Sequence, residues 1–136
     1  MQAGGFFHAV KALWPQMKEH PIRLVTILTE YVTGAPPAGL SDYVSAKYAL
    51  MGLCKSMAIE LAKYDCTVNM VSPGITETGL IAKLPPKMIE LQAAQNPLQR
   101  IAEPDDVASA VAFLLSPESR YVNGVNMLVN GGGRMA

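Results

Sequence analysis

What this sequence lacks first is an excess charge of either sign. Eleven Lys and Arg stand against eleven Asp and Glu, for a formal net charge of zero. Without a basic stripe, nucleic acid and an anionic membrane surface are poor candidates for the main partner. No apolar run approaches the ~20 residues of a membrane span. The apolar N-terminus has no basic stretch ahead of it, which argues against a secretory leader, so a cytoplasmic location is expected. Cysteine is scarce: Cys54 and Cys66 have neither C-x-x-C spacing nor the density of a disulfide scaffold, and both read as buried, inert thiols. His8 and His20 fall in or just past the first helical segment, where surface positions are expected, and no metal-ligand set is visible. What is present is ordinary for a globular domain. Half the residues are apolar and 16% are charged, with eight scattered methionines that read as core filling.

Breakers divide the chain into elements. A helix is predicted from Gly4 to Glu19, stopped by His20-Pro21 because the residue before proline is pushed out of the helical region. A strand follows at Arg23 to Thr29, then a loop at Gly34-Ala35-Pro36-Pro37-Ala38-Gly39. Ser41 or Asp42 is positioned to cap a helix to about Lys63, with Ala46, Leu50, Leu53, Met57 and Leu61 recurring at helical spacing. A strand at Thr67–Val71 ends at Pro73-Gly74. A less regular helix spans Pro86–Gln95, another opens after Glu103-Pro104, and the last strand is Val125–Val129. Two strand–helix–strand units imply a parallel sheet with right-handed crossovers, an α/β architecture of about three strands with flanking helices. Residues 1–136 read as one domain without repeats or linkers.

The chemistry sits at Tyr43-Val44-Ser45-Ala46-Lys47, which puts a phenol and an ammonium one helical turn apart on one face. A tyrosine hydroxyl titrates near pH ~10, and a fixed positive charge nearby favours the phenolate. Such a pair can move a proton to or from a carbinol oxygen. On its own the spacing also arises as a plain solvated helix face. Downstream stand Ser72-Pro73-Gly74-Ile75-Thr76-Glu77-Thr78, Asn96-Pro97-Leu98-Gln99-Arg100, Glu103-Pro104-Asp105-Asp106 and the terminal Asn126-Met127-Leu128-Val129-Asn130-Gly131-Gly132.

In that order and spacing these segments resemble the C-terminal half of a classical short-chain dehydrogenase/reductase, the family typified by 3-oxoacyl-carrier-protein reductases. The resemblance covers essentially the whole chain, including Gly5-Phe6-Phe7 and Leu13-Trp14-Pro15-Gln16-Met17 at its start. It implies the C-terminal part of a Rossmann-like doubly wound parallel sheet, the last three of seven strands. No glycine-rich turn of the T-G-x-x-x-G-x-G kind is present, the element that would place backbone N–H groups and a helix N-terminus on a cofactor pyrophosphate. A parallel fragment of this size is expected to leave a strand edge open.

The resemblance also implies roles. Tyr43 matches the general acid/base, and Lys47 matches the residue that tunes it and bonds the nicotinamide ribose. The substrate-binding serine, thirteen residues before the tyrosine, falls on Glu30, with Thr29 beside it. Thr29 would present a hydroxyl if the loop is one residue short. Otherwise a carboxyl group takes the place, opposing Lys47 if ionised or donating to a carbonyl oxygen if protonated. Gln2 falls at the position of the proton-relay asparagine, and equally reads as a plain N-terminal polar residue. Pro73-Gly74-Ile75-Thr76-Glu77-Thr78 matches the P-G-x-x-x-T turn that passes the nicotinamide of NAD or NADP, assigning Pro73, Gly74, Ile75 and Thr78 to the cofactor. Asn69 reads as a structural bond to loop backbone, and Asn130-Gly131-Gly132, in place of D-G-G, as a turn.

The segment Gly79–Gln95, with Leu80, Ile81, Leu84, Met88, Ile89 and Leu91, is the family's variable lid. It points to an apolar or acyl-chain-like carbonyl or alcohol substrate, although helix burial explains the same residues. Oligomers are implied through residues 4–19 and 41–63. The expected function is an NAD(P)-dependent oxidoreductase or half of a split one. The alternatives are a non-catalytic partner subunit with degenerate sites and an assembly module that uses the open sheet edge.

Overall fold

The computed structural model describes residues 2–79 and 81–135, Gln2 by its backbone alone. Leu80 of the expected lid and the side chain of Gln2 lie outside the described residues. Helix α1 runs Gln2–Glu19, strand β1 Arg23–Ile27, helix α2 Ser41–Glu60, strand β2 Thr67–Pro73, helix α3 Pro86–Gln95, helix α4 Pro104–Leu115 and strand β3 Asn126–Val129. The strands form one parallel sheet in the order β1-β2-β3, with Leu24 opposite Val68 and Val71 opposite Met127. This is the expected α/β arrangement.

Burial follows the pleat. On β2, Val68 and Met70 face α1 and α2, where they join Met17, Leu50, Cys54 and Leu61 in the core. Asn69 and Val71 alternate to the other face, which α4 covers with the buried Leu114. Each fully buried Leu or Met side chain stabilises the fold by about 1.5–3 kcal/mol. Both thiols are free and buried, Cys54 contacting Thr26 Oγ1 at 3.5 Å, and burial pushes the Cys54 pKa up. His8 and His20 are exposed.

Several boundaries differ from expectation. β1 ends at Ile27 because Thr29 turns the chain, its hydroxyl oxygen accepting from the Tyr31 N–H and opening a short 3-10 turn over Glu30–Val32. Neither Ser41 nor Asp42 caps α2. Leu40 takes that position without a side-chain bond, and Asp42 instead puts its negative charge in the first turn, where the helix dipole favours it. α2 stops at Glu60, and Ala62–Tyr64 tighten into a 3-10 turn ending at Asp65 in the left-handed region. α1 begins at Gln2, ahead of the expected Gly4, and β3 begins one residue late, at Asn126.

Candidate active site

The carboxyl ends of β1, β2 and β3 converge with the first turn of α2, where parallel α/β sheets place their ligand crevices. Leu28 N–H bonds Val71 O, and Ile22 O accepts from Thr67 N–H, so even-numbered positions of β1 pair with β2. Odd-numbered positions therefore point to the sheet's outer edge. The carbonyl of Ile27 is among them, and Lys47 takes it: Nζ donates to Ile27 O at 2.9 Å. The same Nζ lies 5.7 Å from the centroid of the Tyr43 ring. Lys47 is only 7% exposed whereas Tyr43 is 38% exposed, so the ammonium is held inside and the phenol faces the cleft. Burial pushes the Lys47 pKa down from its ordinary value.

Tyr43 opens onto a largely apolar cleft of about 520 Å³, walled by Thr29, Leu40, Gly74, Ile75, Ile81 and Leu84. Pro73, at the end of β2, completes the wall near Gly74. Gly74 lets the two chain segments pass closely there, since a Cβ would stand 3.0 Å from Asn130 Cβ and 3.1 Å from its Cα. Thr78 is exposed and outside the cleft, its carbonyl accepting from the N–H groups of Ile81 and Ala82 at 3.1 and 3.2 Å. Of the two threonines in this turn, Thr76 is the one that lines the cleft, its hydroxyl donating to Gly74 O at 3.0 Å.

Thr29 and Glu30 both reach the cleft wall, in different ways. Thr29 is buried beside it. The Glu30 carboxylate turns toward the end of β3, where Oε2 accepts from Asn130 Nδ2 at 2.9 Å. Asn130, buried, also donates to Arg134 O and accepts from Gly132 N–H, while its own carbonyl accepts from Asn96 Nδ2 at 2.8 Å. The terminal turn is thus tied to Glu30. A side chain at Gly131, at φ +61°, would meet Asn96 Oδ1. Asn69 makes the structural bonds expected of it, to Val122 O at 2.8 Å and from Val125 N–H at 3.0 Å.

Tyr31 was not singled out by the sequence, yet it lines the cleft beside Glu30. Burial raises its pKa, the Glu30 and Tyr43 charges add to that, and Arg134 opposes it. The Arg134 guanidinium lies 5.1 Å from the Tyr31 ring and donates to the carbonyls of Thr33 and Ala35 at 3.2 and 2.5 Å, pinning the chain's end to the loop before α2. No local sequence signal marks Arg134. Past Glu30 and Tyr31 opens a second, polar cavity of about 530 Å³. On its far side Arg100 grips Asp106 bidentately at 2.6 and 2.9 Å and, with the Glu103 N–H, pulls the Asp106 pKa down to about 2. Among the described residues no cluster of three or more His, Cys, Asp or Glu is placed to hold a metal ion, and no helix is long and apolar enough to cross a membrane.

Comparison with known proteins gives the same frame. The family described as enoyl-(acyl carrier protein) reductase matches residues 1–133. A 3-oxoacyl-[acyl-carrier-protein] reductase of Vibrio cholerae is 44% identical over 95 residues, which is 70% of this chain and 39% of that protein. The crystal structure of a 3-oxoacyl-[acyl-carrier protein] reductase from Brucella melitensis superposes with a TM-score of 0.90 at 32% identity, over 97% of this chain and 50% of that one. Another such Brucella melitensis structure, with bound NAD, superposes at 0.85 with 32% identity, over 97% of this chain and 48% of that one. The chain spans half or less of the length of each of these relatives. With a Rossmann-type sheet, the tyrosine–lysine helix and a family match over nearly its whole length, the chain belongs to the short-chain dehydrogenase/reductase family.

Proposed function

We propose that this chain supplies the catalytic half of an NAD(P)-dependent oxidoreductase acting on an alcohol or ketone, with Tyr43 as the group that gives or takes the substrate's proton. The observation that carries the reading is the placement of Lys47. A buried ammonium anchored on Ile27 O stands 5.7 Å from the ring of Tyr43, one helical turn behind the phenol that faces the cleft. Thr29 is our choice for the serine role. Its oxygen already accepts from Tyr31 N–H, which leaves the hydroxyl proton free for a substrate carbonyl. Glu30 is occupied by Asn130 and is better placed to shape the site than to bind that carbonyl. Gln2, in the relay position, is assigned on sequence register alone.

The residues present fit one end of a dinucleotide. The apolar cleft at Pro73, Gly74 and Ile75 suits a flat nicotinamide ring, with Thr76 nearer than Thr78 to the carboxamide, and Lys47, behind Tyr43, is assigned to the ribose hydroxyls on the motif alone. The pyrophosphate end has no glycine-rich turn in this sequence. A bound nicotinamide would supply or accept hydride at the substrate carbon. This chain's own part is to hold the carbonyl at Thr29 and pass the proton through Tyr43. The oligomer expected of the family is assigned to α1 and α2, which expose Phe7, Trp14, Tyr48 and Ile59.

The test is Tyr43→Phe in whichever species turns over, the chain alone or with a co-purifying polypeptide. Turnover of NADH or NADPH with a ketone should fall by about 10²–10⁴-fold, the range of a lost acid/base group, with the thermal midpoint unchanged. Retained turnover removes Tyr43 from the mechanism. It would favour the second reading, a supporting subunit whose partner carries the chemistry, which the half-length match also supports.

A further inference from the structure

The geometry points to the polar cavity behind Glu30 as a second compartment of the substrate site, one that takes a neutral, hydroxyl-bearing part of the substrate while the carbonyl lies at Tyr43. The inference rests on the oxidoreductase reading of the Tyr43 cleft, which it extends. The two cavities share a wall at Glu30, Tyr31, Gly74 and Ile75, so one extended ligand spans both. The walls differ in kind. The Tyr43 side is apolar, with Leu40, Ile81 and Leu84. The far side presents the amides of Gln92 and Gln95 and the Glu30 carboxylate, beside Asn96, whose own amide is held by Asn130 O and the Leu98 N–H.

Chemistry selects the ligand. Amides donate and accept, as hydroxyls do, so a wall of amides pairs with hydroxyls without leaving a buried group unmet. The charges lining the cavity balance: Arg100 is paired with Asp106, and Glu30 and Arg134 contribute one charge of each sign, with Arg134 Nη1 donating to the carbonyls of Thr33 and Ala35. No net charge remains to select an ion. Asn130 fixes Glu30 through Oε2, and among the described residues Oε1 has no hydrogen-bond donor. That oxygen stands 3.6 Å from the place a Gly74 Cβ would occupy, at the shared wall. It is a fixed acceptor facing the passage, and a substrate hydroxyl is the donor it lacks.

The experiment is a ligand-observed NMR titration of the full chain with 2-heptanone, 7-hydroxyheptan-2-one and 7-aminoheptan-2-one. The hydroxyketone is expected to bind about tenfold or more tighter than the plain ketone, the range of a hydrogen bond to a charged partner. Glu30→Ala should erase that preference, and Gln92→Leu, away from the core, should reduce it even if Glu30→Ala fails to fold. Equal binding of the plain and hydroxylated ketones, or binding of none of the three, overturns the proposal. So does an aminoketone that binds more than tenfold tighter than the hydroxyketone, since it would make the compartment a cation site. None of these outcomes needs hydride transfer, so the oxidoreductase reading stands or falls separately on the Tyr43→Phe turnover test.

Discussion

Lys47 carries more of the site than its neighbour in the motif, because it is the charged member that the fold has taken out of water. Its pKa is lowered by burial, so between that depressed value and the ordinary 10.5 the unfolded chain holds a proton the folded chain has released. Stability from this group is therefore full above 10.5 and is lost as pH falls through the folded value. Cys54 and Tyr31, whose pKa values are raised, act in the opposite direction over the same alkaline range, so the readout is a difference: in urea unfolding the native chain should gain stability relative to Lys47→Met as pH rises over that interval. Lys47→Met should lack that increment, and parallel curves for the two proteins would contradict the burial argument. The Tyr43–Lys47 pair was legible in the sequence because a one-turn helical spacing is local. How the Glu30 side chain is held beside Thr29 was not, because its contact is to Asn130, one hundred residues further on.

At the scale of elements, the end of β2 and the end of β3 are locked where Gly74 passes Asn130. Gly74→Ala would force its Cβ against Asn130 Cβ and Cα at 3.0 and 3.1 Å, one of them backbone, and overpacking of this kind costs about 1–3 kcal/mol. The thermal midpoint should fall accordingly. The change should also disturb Glu30, whose partner Asn130 is the atom group displaced, so a loss of hydroxyketone preference should accompany it. An unchanged midpoint would mean that the turn relaxes freely. The order and type of the main helices and strands followed from proline, glycine and apolar spacing, since these act within a few residues. The ends did not: Thr29 leaves the strand to bond the Tyr31 N–H, and Leu40 displaces Ser41 from the cap, both decided by where the chain must turn to bring α2 over β2. Thr78 shows the same limit, since its match to the motif did not reveal that Thr76 faces the cleft.

For the whole molecule the open edge of β1 decides the behaviour in solution. The ladder pairs Leu24, Thr26 and Leu28 with β2, and among the outward positions Lys47 satisfies one carbonyl, that of Ile27. The N–H groups of Val25 and Ile27 point away from the sheet, and Ile27 is 43% exposed. Unpaired strand edges of this kind recruit another strand. Hydrogen exchange followed residue by residue should therefore alternate along β1 in the chain alone, with Leu24 and Thr26 protected and Val25 and Ile27 exchanging as open amides. A polypeptide that completes the sheet should protect Val25 and Ile27 without changing their even-numbered neighbours, because it adds bonds only on the outer side. Protection of all four in the purified chain would instead mean that two copies have paired through β1, which would move the subunit contact from the α1 and α2 faces to the sheet edge.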